Sequence, residues 1–116
     1  MALSEFTLKL VEKKLRDYCQ GRVHEALRHR VRMGYAIEGD FVTLFEERPG
    51  LLDPGKWVRL DMARFRFNQR TKKWNLYYAD IDLRWHSYYL KPRADFEVLL
   101  REVDEDPVRV FWWGQG

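Results

Sequence analysis

Lys56-Trp57-Val58-Arg59-Leu60-Asp61-Met62-Ala63-Arg64-Phe65-Arg66-Phe67 runs into Asn68-Gln69-Arg70-Thr71, and Lys72-Lys73-Trp74-Asn75-Leu76-Tyr77-Tyr78 follows. Apolar and polar side chains alternate on both sides of the polar middle, the period of half-buried strands joined by a turn. Val58, Leu60 and Met62 share one face of the first strand, residues 56–67. Phe65 and Phe67 fall on the other parity, so the alternation slips near Met62-Ala63-Arg64, which predicts a β-bulge or strong bend there. In the second strand Trp74, Leu76 and Tyr78 face one way, and Lys73, Asn75 and Tyr77 the other.

The same period continues on both sides. Upstream, Val31, Met33, Tyr35 and Ile37 alternate with Arg32, Gly34, Ala36 and Glu38. Gly39-Asp40 then reads as a two-residue hairpin turn into a strand over residues 41–48. Pro49-Gly50 and Pro54-Gly55 punctuate the connection to residue 56. Downstream, residues 79–82 form a short connection to a strand over 83–89, which Lys91-Pro92 ends. The sheet is bracketed by helices. Ser4 caps a helix over residues 5–20, with Leu8, Val11, Leu15 and Tyr18 as its buried stripe and Gly21 as its stop. Phe96, Leu99, Leu100 and Val103 mark a second helix over 94–104. Residues 22–30 allow a further helical turn through Val23, Ala26 and Leu27. Val108, Val110 and Trp112 alternate and allow a sixth strand. Short connections make antiparallel neighbours. The expected fold is α+β: a five- or six-stranded antiparallel meander with both helices on one face, in a single domain over residues 1–116.

The composition fits that frame. The 116 residues are 46% apolar and 34% charged, a globular balance. No apolar run is long enough to span a membrane. Lys9, Lys13 and Lys14 interrupt what would be a signal peptide. Cys19 is the only cysteine, so no internal disulfide forms, and a reducing cytoplasm is the expected compartment. Cys19 lies beside the helical stripe and reads as a small buried hydrophobe. His24 and His29 are five apart and share no helical face, so the sequence holds no dedicated zinc site. Phosphate loops and serine nucleophile elbows are missing too; the serines are Ser4 and Ser87.

Charge is unevenly spread. Residues 9–32 carry eight Lys or Arg against three acids, residues 56–73 seven against one, and residues 94–106 one against six. Either an anionic partner is met by the basic stretches, or the acidic helix lies over basic strands and neutralises them. Five Trp, six Tyr and seven Phe accompany a surplus of Arg over Lys, fourteen to seven. Arg and rings together suit stacking on bases and forking onto phosphate. They equally suit a ring-filled core beneath cross-strand salt bridges.

Ile37-Glu38-Gly39, Leu44-Phe45-Glu46-Glu47-Arg48-Pro49, Trp74-Asn75-Leu76-Tyr77-Tyr78, Asp82-Leu83-Arg84-Trp85-His86-Ser87-Tyr88 and Val103-Asp104-Glu105-Asp106 resemble, in this order, a small bacterial family of about this length. The family is a domain of unknown function. The resemblance implies a bacterial, stand-alone domain and assigns no activity, ligand or catalytic residue.

Three functions follow from the residues. The first is a non-catalytic module that binds nucleic acid or another polyanion. Its expected binding face holds Arg59, Arg64, Arg66, Arg70, Lys72, Lys73, Tyr77, Arg84, His86 and Tyr88, with Phe65 and Phe67 also available for stacking. The second is a metal-dependent phosphodiesterase. Counted from residue 82, Asp82, Arg84, His86 and Tyr88 line one face beside Lys73, Asn75 and Tyr77. Asp80, Asp82 and Glu46 would hold Mg²⁺ or Mn²⁺, with His86 or Lys73 as acid or base. The competing explanation is a turn aspartate and a hydrogen-bonded histidine. The third is a homodimer or protein–protein module anchored by Trp112 and Trp113. No cofactor is expected. One of Glu46 and Glu47 must point inward and is expected to pair with an Arg.

Overall fold

The computed structural model describes residues 3–22 and 30–112. Five strands form one antiparallel sheet in chain order: β1 (Arg32–Glu38), β2 (Phe41–Pro49), β3 (Trp57–Asn68), β4 (Lys73–Ala79) and β5 (Trp85–Ser87). Helices α1 (Glu5–Arg22) and α2 (Phe96–Glu105) stand before and after them. The α+β meander is therefore the observed fold. Val23, His24, Ala26, Leu27, His29 and Trp113 lie outside the described residues.

Turn chemistry sets the register. Gly39 takes a positive φ of 61°, which a two-residue turn with glycine first requires, and Glu38 pairs with Phe41. At the β3–β4 turn the Asn68 side chain accepts from the Arg70 and Thr71 amides at 2.9 and 3.2 Å, an Asx turn. The expected bulge is present. Leu44 pairs with Ala63 but Phe45 pairs with Asp61, so Met62 is the unpaired extra residue. Its consequence is a change of parity along β3. Val58 and Leu60 in one half, and Ala63, Phe65 and Phe67 in the other, all face the same side of the sheet.

That side carries the core. Val42, Leu44, Phe65, Phe67, Trp74 and Leu76 pack with Val11 and Leu15 of α1 and Phe96, Leu99, Leu100 and Val103 of α2. The rings interlock. Phe65 meets Phe96 edge-on at 4.7 Å, and Trp74 stacks on Phe96 at 5.0 Å. Asp95 caps α2 by accepting from the Glu97 amide at 2.9 Å. Backbone bonds from Trp74 to Arg93 and back, at 2.7 and 3.0 Å, tie the chain entering α2 to β4.

Two expectations need correction. Residues 108–112 add no sixth strand. Asp106 ends α2 in the left-handed region at φ 43°, and its buried carboxylate accepts from the amides of Val110, Phe111 and Trp112 at 2.8–3.3 Å. A local anion claims the N–H groups that a sheet would need. The strand expected over 83–89 shrinks to β5, because Leu83 adopts φ 62° and Tyr88 turns into the core. No helix among the described residues is long and apolar enough to cross a membrane.

Candidate functional site

The strand pairing places Arg32, Phe41, Phe45, Trp57, Arg59, Asp61, Arg64, Arg66, Lys73, Asn75, Tyr77 and Trp85 on the face opposite the core. Among the described residues no helix covers that face. The Met62 bulge brings Arg59 to the same side as Arg64 and Arg66; strict alternation would set them on opposite sides.

Each of the four arginines on this face lies over a ring. Arg32 sits 3.7 Å from the Trp57 centroid and Arg59 4.1 Å from that of Phe45. Arg64 lies 4.3 Å from Trp85 and 5.4 Å from Phe41, and Arg66 5.3 Å from Phe41. These are cation–π distances, worth about 0.5–1 kcal/mol apiece at exposed sites. Phe45 crosses to β1 and lies on Gly34, where an added Cβ would come within 2.8 Å of the ring. Arg59 also pairs with Asp61 at 2.7 Å, and the Arg64 Nε donates to Thr43 at 3.3 Å. Arg66 stands 3.7 Å from Asp40. Among the described residues Arg32, Arg64, Arg70, Lys72 and Lys73 have no carboxylate partner. On the strands of this face, Arg32, Arg59, Arg64, Arg66 and Lys73 oppose Glu38, Glu47 and Asp61; Arg70 and Lys72 add charge at the adjoining turn.

The binding face expected from sequence is thus only partly assembled. Arg59, Arg64, Arg66, Lys73 and Tyr77 share it, with Arg70 and Lys72 at its end. Phe65 and Phe67 do not, being buried in the core. His86 pairs with Tyr78 and stacks on its ring at 5.4 Å, on the helix side. Tyr88 is buried and donates to Glu102 at 2.6 Å. Burial, with that carboxylate beside it, pushes the phenol above the ordinary tyrosine range. Arg84 lies in the turn before β5. Arg32, Phe41, Phe45, Trp57 and Trp85 join the face beyond the residues the sequence suggested, although the Gly39-Asp40 turn alone fixes the pairing of Arg32 with Glu47.

The acidic cluster has another geometry. Asp80 Oδ1 accepts from the amides of Asp82 and Arg84, both at 2.9 Å, and Oδ2 lies 2.6 Å from His86 Nε2. Both oxygens close the β4–β5 turn. The Arg84 amide first, and then His86, hold the Asp80 carboxyl below its ordinary value. Glu46 is the inward glutamate: it lies buried on β2 and pairs with Arg48, with β3 between it and β4. Among the described residues no three His, Cys, Asp or Glu side chains converge to hold a metal ion. Asp80, Asp82 and Glu46 therefore do not form the ligand set the sequence suggested, and Asp82, Arg84, His86 and Tyr88 share no wall. Trp112 is engaged within the chain, its Nε1 donating to the Val103 carbonyl at 2.8 Å beneath the Arg22 guanidinium.

The profile of one family, described as a domain of unknown function (DUF3024), matches residues 3–113, and the chain belongs to that family. No match was found among curated proteins or among solved structures.

Proposed function

We propose that the chain is a non-catalytic module that binds single-stranded nucleic acid across the helix-free face of its sheet. The observation that carries this reading is the set of four arginines on that face, each with its guanidinium carbon 3.7–5.3 Å from a ring centroid. Guanidinium and aromatic groups side by side on an open face are platforms for bases. Arg70, Lys72 and Lys73, which have no carboxylate partner among the described residues, supply attraction for phosphate at the β3–β4 turn. A guanidinium already resting on a ring has less freedom to lose when a ligand arrives, which lowers the ordering cost of binding. The lone, half-buried Cys19 suits a reducing cytoplasm.

Fluorescence anisotropy with a labelled single-stranded oligonucleotide tests the proposal. Binding is expected at 50 mM salt and weakens steeply as salt rises, with a log–log slope of about −0.7 per phosphate contacted. Arg64→Gln is expected to lower affinity by about fivefold to tenfold and to flatten that slope by about 0.7. No binding at low salt, or equal binding by Arg64→Gln, overturns it.

A further inference from the structure

At the end of β3 the arginine-bearing face opens into a cleft of about 400 Å³ between the Gly39-Asp40 turn and the β3–β4 turn. That is room for one nucleotide unit. Asp40, Arg66, Asn68, Arg70 and Asn75 line it. Arg66 and Arg70 are the donors suited to phosphate, and among the described residues the Arg70 side chain makes no ion pair.

Asp40 is the odd member. A cleft made only for phosphate has no use for a carboxylate, which repels it. The Asp40 side chain is 19% exposed, and its one ion-pair partner among the described residues, the Arg66 Nε, stands 3.7 Å away, beyond hydrogen-bond reach. None of the described donors hydrogen-bonds to this carboxylate. It is a sheltered carboxylate, an acceptor open to a donor from a ligand. On a nucleotide whose phosphate lies against Arg66, the donor nearest that phosphate and common to every base is the ribose 2′-hydroxyl. Under the proposed binding mode the base faces lie against the rings and arginines elsewhere on the sheet.

We infer that the module prefers RNA to DNA, and that Asp40 makes the choice by accepting a hydrogen bond from the 2′-hydroxyl of a nucleotide held at Arg66 and Arg70. The inference rests on the proposed binding of single strands to this face. The 2′-hydroxyl is the group by which proteins tell the two polymers apart at a given site.

The test uses three homopolymers of one length and one base: oligouridine, oligodeoxyuridine and 2′-O-methyl-oligouridine, whose blocked oxygen cannot donate. By anisotropy the unaltered protein is expected to bind oligouridine about tenfold tighter than either of the others, the worth of one charge-assisted hydrogen bond. Asp40→Ala is expected to bring oligouridine down to the deoxy level and to leave deoxyuridine binding equal or tighter. Arg70→Gln is expected to weaken all three alike. If all three bind the unaltered protein equally, or if Asp40→Ala keeps the preference, the inference fails and the binding face stands. If none binds at low salt, both fail. The methylated arm needs no variant, so misfolding of Asp40→Ala would not protect the inference.

Discussion

Asp80 shows how one side chain sets the path of a turn. Its carboxylate collects two backbone amides and the His86 ring, and all three favour the ionised form. The folded pKa is therefore below the unfolded one, which lies near 3.8. The stability this group contributes is fully present above that value and is lost as pH falls through the lower, folded one. Amide exchange at Asp82 and Arg84 reads this directly. Corrected for intrinsic rates, their protection is expected to hold from pH 7 to about 4 and to fall below it, and Asp80→Asn is expected to remove the step. A flat profile down to pH 2 would contradict the assignment. The same residue explains what the sequence hid. Alternation counted from Leu83 put His86 and Tyr88 on the binding face. Leu83 is forced to φ 62° inside the loop that Asp80 closes, and a leucine carries no signal for such a φ. Cys19 was legible from its place beside the helical stripe; burial pushes its thiol up to about 11, which disfavours the thiolate at neutral pH.

Among the elements, both helices could be read from their apolar stripes, and the β3 bulge from one slipped parity. The segment after α2 could not. Val108, Val110 and Trp112 carry a strand's pattern, but Asp106 stands close enough in sequence to take the amides of Val110, Phe111 and Trp112 first, and Pro107 has no amide to give a ladder. Asp106→Ala loses the anion and strains the left-handed cap, and is expected to cost about 3 kcal/mol in urea unfolding. Asp106→Asn keeps one acceptor oxygen and tolerates the same φ, so a loss of about 1 kcal/mol is expected. Equal losses for the two would mean that the carboxylate does not organise this segment.

Across the whole molecule, the charge imbalance resolves helix against helix. Lys14 pairs with Glu97 at 3.0 Å, Arg22 with Asp104 at 3.4 Å, and Tyr18 donates to Asp104 at 2.9 Å. The acidic stretch thus answers the basic α1 and leaves the arginines of the far sheet face uncovered by it, a pairing that sequence positions alone could not decide. Stability and binding are accordingly expected to separate by face. Phe65→Ala removes a fully buried ring and is expected to cost about 3–5 kcal/mol. Phe41→Ala, on the half-open face, is expected to cost about 1 kcal/mol or less while lowering oligonucleotide affinity. Chemical denaturation and anisotropy on the same two variants check this; a binding loss confined to Phe65→Ala would reverse the assignment of faces.

The unpaired Met62 also decides how this gene tolerates lost codons. Removing the codon for residue 62 joins Asp61 to Ala63 in plain alternation, and every other side chain of β3 keeps its side of the sheet. Removing a codon well inside either half leaves the extra residue in place and sends the shorter stretch to the wrong side, its arginines inward and its apolar residues outward. Along this strand, shortening by one amino acid is compatible with the fold essentially at the bulge alone.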